Sequence, residues 1–194
     1  PEACAGTGCY GYGAGTVPDP AFPQSTGSCP IGSTINDDVG LEVELKAPTN
    51  ATGYKFDFKF YTFEYPVFIC TQWNDQYITW VDPPPVGAQN GNISFDANNN
   101  PVSVNVGFFN VCDNGAPQCT AGGAELQGNG FAGHGGTEWL QTQAPIEGGA
   151  TFSIRFTVWD TSDSIYDSTV LVDNFEWIAN GGTVPVGTEP APPQ

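Results

Sequence analysis

Apolar and polar residues alternate in steps of two over several stretches of the chain, and no stretch of convincing length shows a helical apolar period. Leu41, Val43 and Leu45 alternate with Glu42, Glu44 and Lys46, which predicts a half-buried strand. After a turn over residues 48–53, Tyr54, Phe56, Phe58 and Phe60 fall on one face, with Lys55, Asp57, Lys59 and Tyr61 on the other. Four aromatic side chains, each burying on the order of 150–250 Å², make this the expected central strand of the core. Residues 76–81 continue as a strand that Pro83-Pro84-Pro85 ends. Residues 90–95 read as a short strand, and residues 96–101 as an Asn-rich turn. Val102, Val104, Val106 and Phe108 then alternate with small polar residues, and Phe152, Ile154, Phe156 and Val158 mark a strand over 151–158. Its partner runs over 169–178 and is read as the last strand. The pattern predicts an all-β fold, a two-sheet antiparallel β-sandwich of jelly-roll-like type with long Gly-rich loops.

The flanks lack this alternation. Residues 1–35 are dominated by Gly, Pro, Ser, Thr and Cys and are expected to form an irregular, disulfide-tied arm. Residues 36–180 are the sandwich, and 181–194 read as a Pro/Gly-rich linker toward an anchor or further domain. Residues 112–136 form a Gly-rich excursion too long for a hairpin loop, and loops of that length often carry function.

Composition narrows the setting. The 21 acidic residues face only Lys46, Lys55, Lys59 and Arg155, for a net charge of −17, which excludes nucleic acid and anionic membranes as partners. Self-repulsion of this size would be relieved by bound cations. Six Cys and no Met point to an oxidising, extracytoplasmic compartment. The absence of any C-x-x-C pair and the single His134 argue against zinc. Cys112 and Cys119 are close enough in sequence to form a local staple; Cys4, Cys9, Cys29 and Cys70 would form two more bridges of open pairing. No apolar run approaches the ~20 residues of a membrane span, so direct membrane insertion is not expected. The opening Pro1-Glu2-Ala3-Cys4 carries no signal-peptide pattern and reads as a mature or trimmed N-terminus.

Charge then singles out one stretch. Between Trp159 and Trp177 lie Asp160, Asp163, Asp167 and Asp173, followed by Asn174, with no Lys, Arg or His among them. Carboxylates crowded in this way repel one another unless water or a cation separates them, and the all-oxygen shell of Ca²⁺ suits them. The run is not an EF-hand, since Ile165 and Leu171 occupy the positions of its Gly and Glu. The plainer alternative is a solvated acidic loop. A second acidic constellation precedes the Gly-rich excursion: Glu64 at the end of the aromatic strand, then Asn74 and Asp75 at the start of the next. The expected metal ligands are therefore Glu64, Asn74, Asp75, Asp160, Asp163, Asp167, Asp173 and Asn174, holding a structural Ca²⁺.

Glu64-Tyr65-Pro66, Asn74-Asp75, Pro101-Val102-Ser103-Val104-Asn105 and the Asp160/Asp163/Asp167-Ser168 run together resemble the choice-of-anchor L domain family. That family shows a "SEEYPEF…NDVF" block, a "PVSINNV" block and a late "D-x-x-D-x-x-x-DS" block, and all three occur here in order over residues 40–178. The ending Val170 to Trp177, with Gly136-Thr137-Glu138-Trp139-Leu140 upstream, is most similar to myxobacterial-type members. Two positions depart: Phe63 stands where the family has a second acid, and Val67 where it often has Glu. The resemblance implies an exported protein of the bacterial surface or extracellular matrix with a β-sandwich fold and no established enzymatic activity.

Catalysis has thin support. Glu64, Glu138 and the Asp run could pair for glycoside hydrolysis only at a defined separation across a cleft. His134, in Gly133-His134-Gly135-Gly136, is read as an exposed loop residue, and no G-x-S-x-G elbow accompanies it. The leading expectation is a non-enzymatic, calcium-stabilised extracellular module for adhesion, matrix or assembly. One alternative is a carbohydrate-binding module that stacks surface or matrix polysaccharide on exposed Trp159, Trp139 and Trp73. Another is a filament subunit that self-associates through the N-terminal arm or the C-terminal tail.

Overall fold

A computed structural model of the chain describes residues 15–113 and 115–192. Among them the regular elements are strands, apart from one short 3-10 helix, Ala124–Leu126, inside the Gly-rich excursion. The first sheet holds β1 (Ile35–Lys46), β7 (Thr151–Thr161) and β3 (Gln76–Asp82), with β7 in the middle and both pairings antiparallel. The second is built around β2 (Ala51–Thr62). Along one edge of β2 runs β8 (Ser168–Ala179). Along the other lie β5 (Gly135–Thr137) and β6 (Leu140–Pro145), with β4 (Phe109–Cys112) outside β5 and β9 (Gly187–Pro190) outside β6. All of these pairings are antiparallel as well.

The aromatic face of β2 is what joins the sheets. Tyr54, Phe56, Phe58 and Phe60 are all fully buried. Ring centroids meet across the interface at 5.0 Å for Tyr54–Phe152, 5.0 Å for Phe56–Phe156 and 4.9 Å for Phe58–Tyr77. Offset and edge-on ring pairs of this kind add to area burial, so the period-two pattern of β2 specifies both the strand and its packing partner.

Several sequence expectations change. Residues 90–95 and 102–108 are not strands. Asn92 takes the ladder's place: its Oδ1 accepts from the amides of Thr79 and Ser94, leaving only isolated bridges. Gly91 (φ 85) lies under the Trp80 indole, where a Cβ would come within 2.3 Å of Nε1. Val102, Val104 and Val106 are buried as their alternation implied, but through consecutive bends, with Val106 N–H donating to Ser103 O and Phe109 N–H to Val106 O. β8 is not the last strand either. Gly187–Pro190, expected to be linker, pairs with the free edge of β6, and Thr142 and Thr188 hydroxyls meet at 2.7 Å.

Among the described residues the disulfides are Cys112–Cys119, the expected local staple, and Cys29–Cys70, which ties the irregular lead-in to the loop after β2. Cys4 and Cys9, and with them most of the proposed N-terminal arm, lie outside the described residues. Within the described lead-in, Phe22 is buried and packs edge-on against Trp159, with Ile35 and Ile78 completing the cluster. Trp159 is thus 1 % exposed and unable to stack on a sugar. Strand parity does turn it away from Phe156 and Val158, but the lead-in covers that outer face of β7.

Candidate functional site

The strand parity that builds the core also builds the acidic site. On β2 the inward positions run Phe56, Phe58, Phe60, Thr62, and the next in phase is Glu64. On β7 they run Phe152, Ile154, Phe156, Val158 and then Asp160. On β3 Tyr77 faces inward, so Asp75 does too, and it falls opposite Asp160, one step beyond the Gln76–Trp159 pair. At one end of the sandwich the aromatic core therefore gives way to carboxylates. Glu64 is 1 % exposed, Asp75 2 % and Asp160 6 %. Asp163, half-buried on the β7–β8 loop, and Asp37, at a bulge in β1, add further negative charge.

Electrostatics confirms that these groups share one environment. Burial, then the charges of Asp163 and Asp160, push the Glu64 carboxyl up to about 9. Burial, then Asp37, Asp167 and Asp163, push Asp160 up to about 8, with a hydrogen bond shared with Asp75 acting the other way. Asp75 is held well above the ordinary carboxylate range by burial, by Asp160, Glu64 and Asp163, and is partly relieved by the Ser168 hydroxyl donating to Oδ2 at 2.5 Å. Burial also raises Asp163, against the Ile165 N–H that donates to it.

Among the described residues no base forms an ion pair with Glu64, Asp75, Asp160 or Asp163. Among the described residues the ion pairs are Lys55–Glu176, Lys59–Glu125, and Arg155 with Asp38 and Glu42, all elsewhere. Glu64 Oε2, both amide atoms of Asn74 and Thr161 Oγ1 are buried without a hydrogen-bond partner among the described residues. Unsatisfied buried polar atoms are costly, about 1–3 kcal/mol each; Glu64 Oε2 belongs to the carboxylate cluster, Asn74 adjoins Asp75 in the chain, and Thr161 shares the outer face of β7 with Trp159. Among the described residues, no three His, Cys, Asp or Glu side chains are already drawn together in a metal-holding arrangement.

The surrounding loops are firmly tied. Cys29–Cys70 closes the 64–75 loop from one side. Ser162 Oγ and Gly32 N–H both donate to Gln72 O, and Asn36 Nδ2 donates to Asp163 O at 2.7 Å. Phe63 N–H reaches Asp167 O across the two loops.

The expected ligands thus divide. Glu64, Asp75, Asp160 and Asp163 converge, with Asp167 within electrostatic reach and Asn74 buried next to Asp75 in the chain. Asp173 and Asn174 do not join them. They lie on exposed β8 opposite Asp57, whose two oxygens accept from Asn174 Nδ2 at 2.9 Å and Gln141 Nε2 at 2.8 Å. Asp57 is seven residues from Glu64 along the chain of β2, about 23 Å at strand rise, and on the opposite face. Asp37, whose charge acts on Asp160, is absent from the residues expected from sequence; the Asp37-Asp38 pair at the strand start is the available signal.

Two of the catalytic candidates are separated or occupied. Glu138 is exposed on the outer side and accepts from Asn110 Nδ2, whereas Glu64 faces the interior, so the two share no cleft. His134 is not a free loop side chain: its Nδ1 lies 3.0 Å from Tyr65 O, and its ring meets Phe63 edge-on at 4.5 Å. Among the described residues no helix is long and apolar enough to cross a membrane.

A disulfide-bonded, two-sheet all-β module of strongly acidic surface is the class defined by this fold. Within it the chain belongs to the Choice-of-anchor L domain family, which matches residues 19–175. The family consists of surface or secreted modules and is not known for enzymatic activity. No curated protein and no solved structure matches the chain.

Proposed function

We propose that this chain is an extracellular surface module, serving adhesion, matrix or assembly, whose two sheets are clamped at one end by Ca²⁺. Glu64, Asp75, Asp160 and Asp163 are the ligand core, with Asp37, Asn74 and Asp167 around it. The observation that carries this reading is the convergence of buried carboxylates from three separate segments with no basic partner among the described residues. Ca²⁺ takes six to eight oxygen ligands in flexible geometry, and binding it requires these side chains to draw together, since no three of them are so placed among the described residues.

Thermal melting at two pH values tests it. In the metal-free protein these carboxyls have folded-state values above their ordinary ones. Their contribution is therefore fully present below about pH 4 and is lost as pH rises toward 8–9. With EDTA the midpoint is expected to fall between pH 5 and pH 8. Ca²⁺ at a hundredfold excess over its Kd contributes about 2.7 kcal/mol, which raises the midpoint by roughly 5–11 °C for a chain of this size, more at pH 8 than at pH 5. No shift on adding Ca²⁺ at pH 8 would sink the proposal.

A further inference from the structure

On the far side of the second sheet, away from the acidic site, a cleft of about 410 Å³ is lined by Lys59, Glu125, Glu138, Trp139 and the Pro190-Ala191-Pro192 segment. The volume falls within the ~300–1,000 Å³ range of small-molecule sites. We propose that this cleft binds a short stretch of neutral polysaccharide, with Trp139 as the stacking platform.

The polar groups are held in place before any ligand arrives. Lys59, 5 % exposed, donates to Glu125 Oε2 at 2.6 Å, and Tyr61 OH donates to Glu125 Oε1 at 3.0 Å. The ammonium also lies 5.9 Å from the centroid of the Trp139 ring and 5.6 Å from that of Tyr61, which fixes it among the aromatics. Glu138 is oriented by Asn110, whose Nδ2 donates to Oε2 at 2.7 Å and whose Oδ1 accepts from the Glu138 amide at 3.3 Å. The wall is fixed as well: β9 pairs with β6, and Ala191 N–H donates to Trp139 O at 2.8 Å. Trp139 itself is half-buried, so part of its indole remains open.

This composition selects the ligand class. A pyranose offers an apolar C–H face for the indole and proline rings, and hydroxyls that donate charge-assisted bonds to carboxylates. Lys59 is already neutralised by Glu125, which leaves Glu138, without an ion pair among the described residues, as the remaining charge of the cleft. Anionic glycans would meet that charge and the −17 of the chain. A cationic peptide would be drawn to Glu138 by charge but would offer the indole no ring face, so oligolysine serves as the competing probe. The site shares no residue with the carboxylate cluster, so its failure and that of the calcium reading are separable.

The test is a titration followed by intrinsic Trp fluorescence and calorimetry. Neutral β-1,4-glucan, β-1,3-glucan, β-1,4-xylan and α-1,4-glucan hexasaccharides are the probes, beside oligogalacturonate and oligolysine. At least one neutral hexasaccharide is expected to bind, with Trp139→Ala weakening it tenfold or more, Glu138→Gln weakening it less, and Trp73→Ala leaving it unchanged. Circular dichroism and the melting midpoint establish that each variant is folded, and Trp139→Phe, which keeps an aromatic face, is expected to retain partial binding. Silence across the neutral panel overturns the proposal. So does tighter binding of oligogalacturonate or oligolysine, or neutral-glycan binding that folded Trp139→Ala preserves.

Discussion

Asp160→Asn is expected to change the stability of this protein in opposite directions depending on whether Ca²⁺ is present. Without divalent cations at pH 8, the substitution removes one charge from a buried group that faces Asp37, Asp167 and Asp163. The penalty for ionising the remaining carboxyls falls, and the melting midpoint should rise by roughly 3–6 °C, equivalent to about 1–2 kcal/mol. With saturating Ca²⁺ the same variant lacks a charged ligand from the middle of the cluster, and most of the calcium-induced rise should vanish. Glu64→Gln should behave alike, because its carboxyl is 1 % exposed and is raised by burial and by the charges of Asp163 and Asp160. Asp173→Asn is the control: it lies on exposed β8 beside Asp57 and should leave the calcium response intact. A solvated acidic loop predicts no such reversal, so parallel effects with and without Ca²⁺ would refute a metal-clamped cluster.

The second large effect concerns Cys29–Cys70. The bridge spans 41 residues and pins Cys70, between Glu64 and Asp75 in the chain, to the lead-in. Loop-closure entropy alone assigns a bridge of that span about 4 kcal/mol, or roughly 8–16 °C in the midpoint. Replacing both Cys with Ala should therefore lower the midpoint by that amount under non-reducing conditions. It should also weaken the calcium response, because the lead-in would no longer hold the 64–75 loop against β3. A fall of less than about 2 °C would mean that Phe22 and the lead-in hydrogen bonds hold this region unaided.

Much of this arrangement is legible in the sequence. Period two on β2 and β7 identified the core strands, and the family resemblance placed the acidic blocks in one domain. Extending each strand's inward phase by one or two inward positions, from Phe60 through Thr62 to Glu64 and from Val158 to Asp160, identifies the interior carboxylates directly. Asp173 and Asn174 were grouped with them by closeness in the chain. An extended strand separates residues quickly, so six positions from Asp167 put Asp173 about 20 Å away. β5, β6 and β9 were missed because Gly135, Gly136, Thr142, Ala144 and Thr188 contribute little apolar signal and owe their pairing to β2 and to one another. Trp159 was misjudged because covering by an irregular segment leaves no period for a sequence reading to detect.

The strand edges carry a last consequence, for colloidal behaviour. Among the described residues β1 pairs only with β7 and β8 only with β2, so each leaves one long edge without a ladder partner. Leu41, Leu171, Val172 and Phe175 are exposed on these strands, a combination that invites copies to stack edge to edge. Glu42 and Glu44 on β1, and Asp173 and Glu176 on β8, set like charge against like charge in any such approach. That protection fades as salt shortens the Debye length from ~10 Å at 0.1 M to ~3 Å at 1 M, and it disappears near the isoelectric point of about 4.1. Acidity and ionic strength would thus govern whether molecules at a crowded surface stay apart or cohere.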